Sequence, residues 1–306
     1  MNELFVVFSN SLIALILCIV VGYVCRRRQM LNDTHTSGIA ELLVKVAMPC
    51  SVFMSLMRPF TMELFWESIA TFFIAGVVYL VGGFLGYVLG RAFKTNPKAR
   101  QVWIFGVGFG NVGFMGLPVI QAVFGVEGLF YVAMALASFN LLSFTWGVWL
   151  FDKSEVTGPV RAIIRNPALL ATCVGFVFFL TGLRLPTALE GGVSLIAGIT
   201  SPISMILIGA ILAKQRLKDA LMDMKILPPV AAKLIIMPIV TWLALRWFIT
   251  NPLMLGVIVT IMAMPVAAAT AIFAEQFDGD SAMAAKLVVV STLICVVTVP
   301  LVSLLL

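Results

Sequence analysis

The sequence predicts an all-α polytopic membrane protein of ten transmembrane helices, arranged as a 5+5 inverted repeat with spans 4 and 9 broken. Three observations predict it. The 306 residues are 61% hydrophobic and only 11% charged, with a mean hydropathy of +1.10, whereas a soluble domain carries about a quarter charged residues. Apolar runs of about the 20 residues needed to cross a bilayer follow one another along the whole chain. Glycines, prolines and a Thr-Asn-Pro triplet recur at half-chain spacing.

Composition closes off several function classes. Ten spans and their loops use the whole chain, leaving no room for a soluble catalytic or nucleic-acid-binding domain. The net charge of +6 and pI near 9.2 come from bases in short interhelical loops, so membrane topology explains them without nucleic acid. Cys18, Cys25, Cys50, Cys173 and Cys295 stand singly in apolar runs with no CxxC pair, as small buried hydrophobes do. His35 is the single histidine, so zinc hydrolysis and Ser–His chemistry lack their usual ingredients. No enzymatic activity, metal or cofactor is expected.

The first apolar run, Leu4 to Val24, follows an acid and precedes Arg26-Arg27-Arg28 rather than a small-residue cleavage site. It is expected to stay as span 1. The spans read 4–25, 37–57, 64–91, 100–123, 128–151, 166–183, 190–213, 225–248, 252–274 and 281–305. The segments after spans 1, 3, 5 and 7 hold most of the bases: Arg26 to Arg28; Arg91, Lys94, Lys98 and Arg100; Lys153, Arg161 and Arg165; Lys214, Arg216, Lys218 and Lys225. The opposite side has only Arg58, Arg184 and Arg246. The positive-inside rule therefore makes the first set cytoplasmic and leaves both termini outside.

Lys45, Lys233 and Lys286 fall inside spans, where charge is costly unless it snorkels, pairs or lines a polar cavity. Lys233 and Lys286 lie within about two turns of cytoplasmic ends, and snorkelling is expected there. Lys45 is deeper, with Glu41 four residues earlier on the same helix face.

Five spans per half make the second half begin on the opposite side of the membrane, so related halves would be inverted, as in many transporters. The division is 1–151, a cytoplasmic linker 152–165, and 166–306. At an offset of 153, Gly22 matches Gly175, Gly38 Gly191, Pro49 Pro202, Ser51 Ser204 and Phe124 Phe277. Thr95-Asn96-Pro97 recurs as Thr250-Asn251-Pro252, an offset a small insertion would explain.

Span 4 packs Gly106, Gly108, Gly110, Asn111, Gly113, Gly116 and Pro118 into a short stretch. Each glycine costs a helix about 1 kcal/mol and proline about 3, so no continuous helix is expected. Broken backbone in a membrane must be buried in protein or line a cavity. Span 9 carries Met264-Pro265 followed by alanines. Two opened helices at matching positions of inverted halves point to a midplane substrate site. Their half-helix N-termini present free N–H groups and positive dipole ends, which favour an anion. Close helix packing explains Gly106, Gly110, Gly82 and Gly86 equally well, but not the amide of Asn111.

The run Gly110-Asn111-Val112-Gly113-Phe114-Met115-Gly116-Leu117-Pro118-Val119 resembles the helix 4 signature of the auxin efflux carrier family, bacterial branch. Asn166-Pro167, Ser201-Pro202 through Gly209-Ala210, Lys233 to Pro238, Met264-Pro265 through Asp280, Ser291-Thr292 and Pro300 are similar to it as well. The resemblance spans nearly the whole chain. It implies a fold shared distantly with bile-acid:sodium symporters, in a bacterial cytoplasmic membrane. Spans 1, 2, 6 and 7 would form a scaffold, often dimeric; spans 3–5 and 8–10 a moving transport domain with spans 4 and 9 crossing at their breaks. It implies carboxylate substrates such as malonate, malate or auxin-like acids.

Carried over by position, Asn111, Val112 and Gly113 line the first break and Pro265 and Val266 the second, with Gly110, Pro118, Pro49 and Pro202 as helix-breaking positions. Ser51, Asn140 and Ser143 are further candidates for the site. Candidates for ion or proton coupling are Lys45, Glu41, Gln121, Glu275 and Lys286, though Glu275 with Asp278 and Asp280 also reads as a solvated acidic turn. Proton coupling or potential-driven movement is favoured over sodium. A sodium-coupled symporter of the bile-acid type and a transporter-like sensor stay open as alternatives.

Overall fold

The computed structural model describes residues 3–152, 165–214, 220 and 222–306, and every regular element among them is helical. In chain order these are α1 Glu3–Arg27, α2 Asp33–Leu56, α3 Met62–Ala92, α4 Pro97–Gly108, α5 (112–124), α6 (126–151), α7 Pro167–Thr181, α8 Thr187–Lys214, α9 Met224–Leu245, α10 Pro252–Met262, α11 Ala269–Gln276 and α12 Ser281–Val302. Seven helical stretches are long and apolar enough to cross a membrane; α7 and α10 are shorter apolar helices. The described residues are thus all-helical, with several helices long and apolar enough to lie in a membrane. Most of the linker expected at 152–165, with Lys153 and Arg161, lies outside the described residues, as do Arg216 and Lys218.

Local chemistry explains the boundaries. Three helices begin at an Asn-Pro pair: the Oδ1 atoms of Asn96, Asn166 and Asn251 accept from the backbone N–H of Ala99 (2.7 Å), Leu169 (3.0 Å) and Leu253 (2.9 Å). Asparagine satisfies an orphan N–H, and proline at the next position has none to orphan. The recurring triplet therefore starts α4 and α10 in the same way. Inside the spans, Pro49, Pro118 and Pro238 each follow a five-residue π-turn, at Leu43–Ala47, Val112–Gly116 and Ala232–Ile236. Proline clashes with the carbonyl four residues back, and the wider turn makes room for it. Pro202 stands just after a one-residue interruption of α8 at Ile199. Gly125, at φ 67° and ψ −163°, separates α5 from α6; left-handed backbone there favours glycine.

The closest packing falls within two groups of helices, and α1, α2, α7 and α8 of the first also touch α5 and α6 of the second. In the first, α1 lies along the second half of α8, and α2 lies along α7. The second comprises α3 to α6 and α9 to α12, in which α3 packs on α4 and α6, and α12 on α11 and α4. The α1–α8 crossing is backbone to backbone. A methyl on Gly22 would stand 1.9 Å from the carbonyl oxygen of Ile206, and one on Gly209 would stand 1.9 Å from that of Ile19. Small residues at such crossings let helices approach in lipid. Gly22→Ala and Gly209→Ala are each expected to lower stability by at least the ~1–3 kcal/mol of an overpacked core. Unfolding midpoints in detergent check this; midpoints equal to wild type would show the crossing to be loose.

Candidate substrate site

Two non-helical stretches meet at the centre of the second group. Residues 109–111 separate α4 from α5, and residues 263–268 separate α10 from α11. They pair antiparallel at Gly110 and Val266. The Asn111 N–H donates to the Pro265 carbonyl at 2.7 Å, and the Ala267 N–H donates to the Phe109 carbonyl at 3.1 Å. The Val266 N–H finds the Ser291 hydroxyl on α12 at 3.0 Å. Unsatisfied backbone in lipid costs several kcal/mol per group, so the two breaks answer each other's hydrogen-bonding needs. Pro265 contributes its free carbonyl, while Asn111 caps the N-terminus of α5 by accepting from the Phe114 N–H at 3.2 Å.

A cavity of about 350 Å³ opens beside this pairing. Its walls include Asn111, Val112, Gly113 and Phe114 at the start of α5, and Ala267, Ala268 and Ala269 at the start of α11. Both half-helices that begin at the breaks therefore turn their N-termini toward one space. Asn140, Ser143, Asn166 and Gln276 add polar groups; Met48, Phe139, Phe144 and Phe273 make the wall apolar. Asn166 donates to the Asn140 Oδ1 at 3.3 Å. An apolar pocket with a few convergent amides and no acid on its wall suits a small anion with an organic body.

The expected site residues divide. Asn111, Val112, Gly113, Asn140 and Ser143 share the cavity wall. Pro265 and Val266 stand behind it as the partner strand of the pairing. Ser51 is buried on α2 at 5% exposure but off the wall, and Met48 from the same helix is there instead. Asn166 and Gln276 line the cavity without having been read as site residues. The Asn-Pro signal at 166 identified a helix start, and sequence offers no means to see which space that cap borders.

Lys233 overturns the expectation of snorkelling. It is fully buried on the π-turn of α9, and its Nζ has no hydrogen-bond partner among the described residues. A methyl on Gly110 would lie 3.1 Å from that nitrogen and 3.2 Å from the Ile261 carbonyl oxygen. The amine thus sits where α4 and α10 end, at the negative poles of two helix dipoles. The cavity, in contrast, borders the positive poles of α5 and α11. Anion-favouring and cation-favouring sides are laid back to back across the paired breaks.

The coupling candidates scatter. Glu41 and Lys45 form an exposed pair on α2. Gln121 accepts from the Ser201 hydroxyl at 2.6 Å, linking α5 to α8 across the two helix groups. Lys286 is not free to snorkel alone: it is half-buried and pairs with Asp223 at 2.7 Å, and the ammonium holds the Asp223 carboxyl below the usual carboxylate range. Glu275 is exposed. Of its neighbours, Asp280 caps the Met283 N–H, and Asp278 pairs with Lys98 at 2.6 Å, which likewise holds its carboxyl low. None of these groups borders the cavity.

Paired interrupted helices that aim two N-termini into one membrane-embedded cavity define a membrane transport protein. Comparison with known proteins agrees. The chain belongs to the membrane transport protein family Mem_trans, whose model matches residues 7–159 and 158–303, and which includes the auxin-efflux-carrier and PIN-like proteins. It is 24% identical to "Uncharacterized transporter YfdV" of Escherichia coli, over 96% of both chains. It is 23% identical to the "Putative malonate transporter" of Rhizobium meliloti, over 92% of this chain and 90% of that one. It is also 24% identical to "Protein PIN-LIKES 7" of Arabidopsis thaliana, over 40% of this chain and 33% of that protein.

Proposed function

We propose that this transporter is a secondary active carrier of small carboxylates that works by elevator-type alternating access. One observation carries the reading: the N-termini of α5 and α11 converge with three asparagines on a single apolar cavity. Free N–H groups and dipole ends there neutralise a carboxylate, and the surrounding aromatic and aliphatic wall accepts a short organic chain. The name of the Rhizobium relative supports malonate-like acids as the first substrates to try. Uptake of labelled malonate, malate and indole-3-acetate into proteoliposomes tests it. Absence of flux for all three, with the protein folded, would reject a carboxylate carrier.

The ten-span, inverted-repeat reading supplies the motion. Scaffold helices α1, α2, α7 and α8 stay fixed, and the group holding the breaks slides with its cargo. Among the described residues the polar links between the groups are few: Ser201 to Gln121, Asn166 to Asn140 at 3.3 Å, the Ser11 hydroxyl to the Ala122 carbonyl at 2.9 Å, and the Arg58–Glu127 ion pair at 3.4 Å. Such links break and reform at small cost, about 1 kcal/mol each. Cysteines at 121 and 201, cross-linked by oxidation, are expected to stop uptake more than tenfold and release it on reduction. Full activity of the cross-linked protein would rule out relative movement of the two groups.

Lys233 bears on coupling. A carrier that uses sodium gathers oxygen ligands at half-helix C-termini, and here an amine occupies that side. A positive Lys233 offsets one charge of a bound carboxylate during the crossing, which favours movement of the loaded form. Sodium is then unnecessary, and protons or the membrane potential drive the cycle. Uptake that collapses when sodium is replaced by choline at fixed pH and potential would favour the sodium-coupled symporter instead. Both termini outside, residence in the cytoplasmic membrane and a dimer through the scaffold complete the proposal. The exposed apolar surface of α7 and α8, with Val174, Val177 and Leu195, suits either lipid or a second copy, and cross-linking in native membranes distinguishes them.

A further inference from the structure

A second cavity, of about 470 Å³, shares no wall residue with the substrate site. Three helices begin on it: Asn96, Asp223 and Asp280, the N-caps of α4, α9 and α12, all line it. Three lysines line it as well, Lys94, Lys225 and Lys286. Its two carboxylates are already engaged. Asp223 accepts from Lys286 at 2.7 Å and from the Lys225 N–H at 3.2 Å, and Asp280 accepts from the Met283 N–H at 3.0 Å. Lys94 and Lys225 are left without an ion pair among the described residues.

One further observation points to a ligand. The indole of Trp103 forms part of the wall, is 1% exposed, and its Nε1–H has no partner among the described residues. Lys94 holds a left-handed backbone at φ 52°, directly after the end of α3. Glycine is the low-strain residue for that position, so a long cation there is held at a cost to the turn.

The repeat provides an internal comparison. Thr250-Asn251-Pro252 starts α10 as Thr95-Asn96-Pro97 starts α4, and Tyr131 stands at the same offset from Lys286. At that end Glu67 accepts from Tyr131 at 2.6 Å and from Asn251 at 2.7 Å. The cavity there is about 260 Å³ and has no lysine or arginine on its wall. Basic character is therefore a property of one end only, and does not follow from the helix arrangement.

We propose that the larger cavity binds a phosphate group, that of an anionic phospholipid headgroup from the cytoplasmic leaflet. Lys94 and Lys225 neutralise the phosphate and three helix N-termini face it, with the unpartnered Trp103 N–H in the same wall. The exposed apolar side chains Phe93 and Met224 on the wall, at 59% and 70% exposure, lie where acyl chains would leave the headgroup. Basic pockets between helices on the cytoplasmic side are suited to this class of lipid.

The test is thermal unfolding of the purified full-length protein in detergent, titrated with phosphatidylglycerol, phosphatidylcholine or inorganic phosphate. Phosphatidylglycerol is expected to raise the midpoint saturably, and phosphatidylcholine is not. Inorganic phosphate that stabilises the protein and competes with the lipid would keep the phosphate site but make its source soluble. The variant Lys94→Gly with Lys225→Gln relieves the left-handed turn and so should fold, yet weaken half-saturation by phosphatidylglycerol at least tenfold. Equal stabilisation by both lipids, or an unchanged response of the double variant, would overturn the site.

Discussion

Lys233→Met is expected to abolish carboxylate uptake while leaving the protein as stable as wild type or more so. The amine is fully buried and unpartnered, and an unpaired buried charge costs several kcal/mol. Methionine matches its length, fills the same space and carries no charge, so folding loses nothing. Transport should fall by about 100-fold or more, equivalent to about 2.7 kcal/mol in the barrier. The loss follows because the C-terminal ends of α4 and α10 then face one another without a cation, and the loaded crossing carries one more net negative charge. Melting in detergent and uptake in proteoliposomes, measured on the same preparation, read the two effects separately. A variant that melts lower and transports normally would make Lys233 a packing residue.

Asn111→Asp separates the two tasks of this side chain. Asparagine and aspartate cap helices about equally well, so the bond to the Phe114 N–H and the break itself should survive. The cavity, however, would gain a fixed negative charge at the N-termini of α5 and α11, where a substrate carboxylate is expected. Two anions within about 4 Å in a medium of effective dielectric near 20 repel by about 4 kcal/mol, enough to remove binding. Asn111→Ala should be milder: it loses about 1 kcal/mol of capping and one amide, and uptake should fall by about tenfold. The order Asp worse than Ala is the diagnostic result, since a neutral or cationic substrate would reverse it. Competition assays at several substrate concentrations give that order as a ratio of half-saturation constants.

Much of the fold is legible along the chain because its signals are local. Asn-Pro pairs start α4, α7 and α10, whose boundaries depend on one side-chain oxygen and one missing N–H. The glycine cluster from 106 to 116 announces a break, and the break is there. Part of the candidate cavity is legible in the same way: Asn111, Val112, Gly113, Asn140 and Ser143 all reach its wall. Ser51 does not: Val44 and Met48 are the residues of this helix on the wall, and Ser51, about one turn beyond Met48, lies past its edge. How far along a helix a cavity extends is not written in the chain. Lys233 departs from its expectation for a comparable reason. Its distance from the end of its span allows snorkelling, but the side chain runs inward to Gly110, and only the absence of a side chain there leaves room for it.

By itself the sequence determined that the chain is helical and membrane-embedded, which spans are interrupted, and which amide stands at the first break. These depend on composition, backbone propensity and residue-to-residue spacing, all of which are written within about twenty residues of each position. Tertiary structure alone decided that the two breaks hydrogen-bond to each other, that their N-termini share a cavity, and that a lysine from a third helix stands at the opposite poles. Both breaks meet across more than a hundred positions of the chain, as Asn111 joins Pro265, and Lys233 is as remote from Gly110. No local periodicity encodes such a meeting. It arises because unpaired backbone at membrane depth must find a partner, and here the second break and the Ser291 hydroxyl of α12 supply it.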